Sequence, residues 1–196
     1  MAKTNQEPET FYAKDREEWR AWLLQNHNTS AGIRLIYYKK GSGKPRVAYE
    51  EAVEEALCFG WIDSVTNVID DERYMQLFSP RKPKSPWSKV NKVRIEKMVA
   101  QGLMTDAGLQ KIESAKADGS WSSYDGVDDL QVPDDLAQAL AANETANQYF
   151  HAFSNSSKKI ILWWITSAKR PETRQKRITE TVKLAEQNIK ANHPRP

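Results

Sequence analysis

Hydrophobic residues recur at helical spacing in two stretches of the first sixty residues. Two tryptophans and a leucine share one face of a predicted helix over residues 15–26, with an aspartate in capping position at its start. The same spacing over residues 49–59 predicts a second helix that stops at Gly60 in a left-handed conformation. Four glutamates are expected on the solvated side of this helix: Glu50, Glu51, Glu54 and Glu55.

Alternating polar and apolar residues predict a strand over residues 33–40 and a hairpin further along the chain. The hairpin consists of residues 61–69 and 73–79, joined by an acidic turn. Three prolines follow, at positions 80, 83 and 86, and none of them can donate a hydrogen bond within a central strand. The chain is therefore expected to leave the sheet as an extended loop.

Sequence signals for helices dominate the chain after this loop. A helix capped by Ser85 or Ser88 is predicted to reach to about residue 100, and another covers residues 105–116. A stretch rich in Gly, Ser and Asp separates these helices from residues 133–196, where every periodic segment is helical.

These elements predict an α+β fold. A small antiparallel sheet, made of one strand plus the hairpin, is covered by helices and followed by a C-terminal helical bundle segment. The predicted domains are an α+β domain over residues 1–122, a connector over residues 123–132 and a helical segment over residues 133–196.

Composition narrows the class of protein. The chain has 196 residues, of which 39% are hydrophobic and 10% aromatic, as is typical of a globular protein. Its one cysteine, Cys58, excludes an internal disulfide and is expected to be a small buried hydrophobe. The three histidines match no zinc-binding spacing, so we expect no metal and no cofactor. Residues 1–10 lack the apolar core of a signal peptide and no run is long enough for a membrane span, so we expect a cytoplasmic protein.

Charge is unevenly distributed, although the net charge is only +3. Residues 50–72 contain eight acids and no Lys or Arg, whereas residues 73–97 contain eight bases and one acid. Within the basic stretch, residues 81–91 combine Arg and Lys with the start of a predicted helix. Free amides and the positive end of the helix dipole favour an anion there. This segment is the best candidate site, and phosphate is a suitable ligand.

Each side chain of this segment has a possible role in such a site. Arg81 can bind an anion through two donors, and Lys82 and Lys84 add positive charge. Ser85 or Ser88 supplies a hydroxyl, and Trp87 offers a flat face for a ring. The alternative is a solvated basic loop whose tryptophan packs on the sheet. The full set of candidate ligand-binding residues is Trp61, Asp63, Ser64, Arg73, Ser79, Arg81, Lys82, Ser85, Trp87, Ser88 and Asn91.

Several short blocks stand out: Ala-Leu-Cys-Phe-Gly-Trp-Ile-Asp-Ser at residues 56–64, Phe-Ser-Pro-Arg-Lys at 78–82 and Trp-Ser-Lys-Val-Asn at 87–91. A further block, Ala-Lys-Arg-Pro-Glu-Thr-Arg, lies at residues 168–174. Together they resemble the bacterial YdeI/OmpD-associated family over nearly the whole chain. The resemblance implies a bacterial stress-response protein that protects against bacteriocins or cationic antimicrobial peptides, and it brings no catalytic residue.

Three functions are compatible with these features. We favour a non-catalytic module that binds a small anionic ligand or a protein partner through residues 61–91. A nucleic-acid-binding protein is less favoured; it would use the basic loop and a stripe on the last helix formed by Arg170, Arg174 and Arg177. An enzyme would need four groups to converge in one pocket: Asp63, Arg73, Arg81 and Ser88.

Two narrower expectations accompany these hypotheses. Asp63 is expected to pair with Arg73 or Arg81, more readily as a structural ion pair than as part of a reaction. A chain of net positive charge attracts cationic peptides poorly, so protection would use the acidic face of residues 50–72 or act indirectly. We favour indirect action.

Overall fold

The first part of the chain combines one sheet with helices. The computed structural model describes residues 9–193, and the chain divides into two units, Met1–Ser122 and Ser123–Pro196. The described elements of the first unit are β1 (Thr10–Tyr12), α1 (Arg16–Asn26), β2 (Ile33–Tyr38), α2 (Tyr49–Cys58), β3 (Trp61–Val68), β4 (Arg73–Pro80), α3 (Lys89–Ala100) and α4 (Asp106–Ala117).

The sheet of the first unit has the strand order β1-β2-β4-β3. Strand β4 runs antiparallel to both β2 and β3, which confirms the α+β fold and the predicted hairpin. Strand β1 is parallel to β2 and was not predicted. Its three residues are too few for an alternating pattern to be visible.

Helix α2 is the central helix of the first unit, since it packs against α1, α3, α4 and β3. The expectation that its glutamates are all solvated is wrong for Glu54 and Glu55, which are 2% and 1% exposed. Arg16 lies 3.0 Å from Glu54 and 2.6 Å from Glu55. Arg20 also pairs with Glu55, and Lys97 of α3 pairs with Glu54. Cations from the two neighbouring helices thus allow α2 to bury both carboxylates.

The second unit is helical throughout its described part. Its elements are α5 (Asp125–Asp128), α6 (Asp134–Ala141), α7 (Glu144–Ala152), α8 (Asn155–Thr166) and α9 (Pro171–Ala185). Leu136, Phe150, Ile161 and Ile178 contribute to its core. The stretch predicted as a connector contains α5, whose Val127 is buried in the same core.

Two expectations about membranes and export have different outcomes. Across residues 9–193, no helix combines the length and the apolar character that crossing a membrane requires. The argument against a signal peptide falls mainly on residues 1–8, which lie outside the described residues.

Candidate functional site

The loop that leaves β4 folds back on itself because of its prolines and one strained residue. Pro83 and Pro86 cannot extend the sheet, and Lys84 adopts the left-handed conformation at φ 60°. The hydroxyl of Ser85 donates to the carbonyl oxygen of Lys82 at 2.7 Å and closes the turn. At the start of the loop, the amide of Arg81 donates to the carbonyl oxygen of Gly60 at 2.9 Å. These bonds hold the loop close to the end of α2.

Arg81 is the most unusual side chain of this loop, because it is a guanidinium that is only 4% exposed. Its Cζ atom lies 3.6 Å from the ring centroid of Trp87, and its Nη2 donates to the carbonyl oxygen of Pro86 at 2.6 Å. Its Nε atom is buried without a hydrogen-bond partner among residues 9–193. Burial lowers the pKa of Arg81 to about 10, and the charge of Asp63 offsets this effect only in part. Within residues 9–193, this buried cation therefore has no paired anion.

Arg81 lines a cavity of about 80 Å³, which we call the Arg81 pocket. A cavity needs roughly 10–15 Å³ on this measure to hold one water, so the pocket has room for a small oxyanion. Lys82, Lys84 and Lys111 also line it, against one acid, Asp118. The pKa of Asp118 is lowered, chiefly by hydrogen bonds from Ser120 and then by Lys84. The pocket therefore combines four cations with one ionised carboxylate.

Three of the lining residues come from α4, namely Lys111, Ser114 and Ala115, and no sequence pattern connected this helix with the loop. A Cβ atom on Gly108 would lie 2.3 Å from the carbonyl oxygen of Cys58, so only glycine lets α4 pack this closely on the end of α2. This approach brings Lys111 and Ser114 to the loop. A glycine within a predicted helix is the signal that could have indicated it.

Four of the candidate residues lie together in the pocket: Arg81, Lys82, Ser85 and Trp87. Trp87 does not offer a flat face to a ring, because it is buried between Arg81 and Trp121, whose ring centroid is 5.2 Å away. Its indole forms the floor beneath the guanidinium rather than an exposed platform.

The expected pairing of Asp63 with Arg73 or Arg81 is wrong. Asp63 accepts hydrogen bonds from the Tyr49 hydroxyl at 3.0 Å and from Gln76 Nε2 at 2.6 Å. Arg73 instead pairs with Asp70 at 2.6 Å, three residues away in the hairpin turn. The local turn brings that carboxylate within reach of Arg73, while α2 and the neighbouring strand β4 supply neutral partners for Asp63.

The other candidate residues have roles outside the Arg81 pocket. Trp61 is buried, and its Nε1 donates to the carbonyl oxygen of His27. Ser64 donates to the carbonyl oxygen of Leu77, and Ser79 faces Ile62 in the hairpin register. Ser88 caps α3, and the Asn91 side chain accepts from Arg94. The four groups proposed for an enzyme therefore do not line one pocket.

Comparison with known families covers most of the chain. Residues 11–111, more than half of its length, match a domain of unknown function, DUF8412. Residues 129–188 match the family described as bacteriocin-protection, YdeI or OmpD-associated. The chain therefore belongs to the DUF8412 family, and residues 129–188 are similar to the YdeI/OmpD-associated family. No curated protein and no solved structure matches the chain.

The boundaries of the two matches refine the predicted resemblance. The YdeI/OmpD-associated match begins at residue 129 and falls in the second unit. The block at residues 56–64 and the loop after β4 lie within the DUF8412 match instead. The Arg81 pocket is therefore built largely from the DUF8412 part of the protein.

The basic stripe predicted for nucleic-acid binding lies on α9, within the YdeI/OmpD-associated part. Arg174 makes a two-pronged ion pair with Asp135, with N–O distances of 2.6 and 2.8 Å. Arg177 donates to the carbonyl oxygen of Trp164 and lies over its ring at 5.2 Å. Two of the three arginines are thus engaged within the second unit.

Metal-binding side chains do not cluster in the described part of this DUF8412 protein. No group of three or more His, Cys, Asp or Glu side chains within residues 9–193 has the geometry to hold a metal ion. Cys58 is buried, and burial raises the pKa of its thiol to about 11. A thiol of that pKa is a poor nucleophile at neutral pH.

Proposed function

We propose that this protein is a non-catalytic binding module whose first unit holds a small oxyanion, such as a phosphate group, in the Arg81 pocket. The observation that carries the proposal is the buried guanidinium of Arg81, which has no paired anion and an Nε atom without a hydrogen-bond partner in the described structure. Buried charges in proteins are ordinarily paired. A bound anion would supply the missing partner.

The surroundings of Arg81 suit an oxyanion in particular. Lys82, Lys84 and Lys111 add positive charge at the walls, and Ser85 and Ser114 add hydroxyls. Guanidinium and ammonium donors form short, charge-assisted hydrogen bonds with phosphate or carboxylate oxygens. The stack of Arg81 on Trp87 fixes the guanidinium plane before a ligand arrives, which reduces the entropy lost on binding.

A role in bacteriocin protection would then be indirect. Direct capture of cationic peptides by the acidic face of α2 is poorly supported, because Glu54 and Glu55 are buried in ion pairs. Glu50 is also occupied, since it forms a two-pronged contact with Arg94 at 2.8 and 2.7 Å. We place the binding module in the cytoplasm, where phosphorylated small molecules are abundant.

Isothermal titration with inorganic phosphate tests the proposal. The wild type should bind one phosphate, and Arg81→Met should abolish the binding because the central cation is removed. Lys111→Gln should weaken it, since one wall charge is lost. Arg73→Met is the matched control, because it removes an arginine that is paired in the hairpin turn and does not line the pocket.

Two results would contradict the proposal. Absence of phosphate binding by the wild type would leave Arg81 as a structural side chain. An equal loss of phosphate binding in Arg73→Met and Arg81→Met would indicate that phosphate is attracted by the net charge of the protein and not by the Arg81 pocket. A nucleic-acid-binding function through the basic loop and the stripe on α9 predicts instead an affinity for oligonucleotides that falls steeply with salt.

A further inference from the structure

A second cavity in the first unit adjoins the Arg81 pocket. Its volume is about 360 Å³, and it shares two lining residues with the Arg81 pocket, Lys111 and Ser114. We call it the His27 cavity. Its size falls within the range of about 300–1,000 Å³ that is typical of small-molecule sites.

Gly60 lets Lys111 of α4 lie close to the end of α2. A Cβ atom at this position would lie 2.7 Å from Lys111 Cγ and 3.1 Å from the carbonyl oxygen of Ala107. The residue also has a φ of 73°, which disfavours any side chain. The absence of a side chain lets Lys111 lie against the end of α2, where it forms part of both cavities.

Polar side chains line the His27 cavity, and several of them both donate and accept hydrogen bonds. The His27 ring uses Nδ1 to bond the carbonyl oxygen of Leu23 at 2.9 Å, which leaves Nε2 as the nitrogen for a ligand. Asn28 and Gln110 contribute exposed amides, each with donors and an acceptor. Sugar hydroxyls, which also donate and accept, match this set.

The aromatic residues of the His27 cavity are not arranged to stack a nucleobase. Phe59 is buried, with His27 at 5.1 Å and Arg20 at 5.3 Å from its ring. Trp61 is also buried and contacts the Trp22 ring edge-on at 5.8 Å. Recognition of a base commonly uses an open aromatic face, and neither ring provides one.

We propose that the two cavities form one extended site for a phosphate monoester of a polyhydroxylated molecule, such as a sugar phosphate. The phosphate group occupies the Arg81 pocket, Lys111 lies at the junction, and the hydroxyls contact His27, Asn28 and Gln110. This inference rests on the proposed function, because the phosphate anchors the ligand.

Titration calorimetry with four probes tests this inference: inorganic phosphate, glucose 6-phosphate, glucose and adenosine monophosphate. Glucose 6-phosphate should bind at least about tenfold more tightly than inorganic phosphate, which corresponds to about 1.4 kcal/mol from the added hydrogen bonds. Glucose alone should bind far more weakly, because it lacks the anchor. Adenosine monophosphate should bind no more tightly than glucose 6-phosphate.

Variants separate the two parts of the site. The double variant Asn28→Ala, Gln110→Ala should reduce the affinity for glucose 6-phosphate to within about threefold of that for inorganic phosphate, and leave inorganic phosphate binding unchanged. Both side chains are exposed, so the fold should tolerate the changes. Gln25→Ala, an exposed residue of α1 that does not line the cavity, is the control.

The outcomes distinguish this inference from the proposed function. Equal affinities for inorganic phosphate and glucose 6-phosphate, both lost in Arg81→Met, would overturn the extended site and leave the anion site standing. Tighter binding of adenosine monophosphate than of glucose 6-phosphate would overturn the assignment to sugars. Failure of all four probes to bind would overturn both proposals.

Discussion

Replacing Arg81 with methionine should change stability little while removing the response to phosphate. Methionine keeps an unbranched side chain that can pack against Trp87. The variant removes a charge whose burial lowers its pKa to about 10. At about 1.4 kcal/mol per pH unit, that displacement corresponds to roughly 3 kcal/mol of unfavourable free energy in the folded state.

The variant also loses favourable contacts of Arg81. The hydrogen bond from Nη2 to the Pro86 carbonyl oxygen is charge-assisted and contributes about 1.5–3 kcal/mol. The stack on Trp87 adds about 0.5–2 kcal/mol. Gains and losses nearly cancel, so we expect the free energy of unfolding to change by less than about 1.5 kcal/mol.

Urea unfolding with and without inorganic phosphate measures both effects. Tryptophan fluorescence is a suitable signal, because five of the seven tryptophans belong to the first unit. Phosphate at a hundred times its dissociation constant should stabilise the wild type by about 2.7 kcal/mol. Arg81→Met should show no stabilisation beyond that given by sodium chloride at the same ionic strength. A loss of more than about 3 kcal/mol in the variant, or an undiminished phosphate effect, would refute the reasoning.

Three further predictions concern the rest of the fold. Arg16→Met should lower the free energy of unfolding, measured in urea, by about 3–5 kcal/mol, because the two buried glutamates of α2 lose a cation that neutralises them. Lys14→Met is the control: it removes an exposed ion pair and should change the free energy of unfolding by under about 1 kcal/mol. Gly60→Ala should destabilise the protein more than Gly102→Ala. Both glycines have a positive φ, which costs alanine about 1–2 kcal/mol, but only a side chain at Gly60 would also meet neighbouring atoms. Equal losses of stability in the two variants would contradict this packing argument. Arg174 lowers the pKa of Asp135 below its usual value of 3.8. The wild type should therefore be more stable than Asp135→Asn above pH 3.8, and this difference should disappear as the pH falls through the folded-state pKa. A difference in stability that does not depend on pH would count against the ion pair.

Local patterns were sufficient for the elements of the first unit other than β1. Gly60 ends α2 with a φ of 73°, as its position predicted, and Asp15 caps α1 by accepting from the Glu18 amide. The loop after β4 followed from its prolines. In each case the determining residues lie within a few positions of one another along the chain, where spacing and turn chemistry are informative.

Burial of charge could not be predicted in the same way. Periodicity placed Glu54 and Glu55 on a polar face, but Arg16 and Arg20 come from a helix 34 or more residues earlier and neutralise them. A carboxylate is buried only where cations arrive by folding. Arg73 is the opposite case, since its partner Asp70 was three residues away and the local turn outweighed the predicted strand pairing.

The candidate site was predicted only where it is contiguous in sequence. Arg81 and Trp87 belong to one loop and were expected together. Lys111 and Ser114 were missed, because their arrival depends on the close approach of Gly108 to the carbonyl oxygen of Cys58. That contact joins residues fifty positions apart and leaves no periodic signal.

A structure determined in the presence of phosphate tests the central claim most directly. The account predicts a phosphate in the Arg81 pocket, with its oxygens about 3 Å from the guanidinium of Arg81 and from at least one lysine of the walls. A pocket that contains only water at saturating phosphate, or a phosphate bound elsewhere on the first unit, would contradict it.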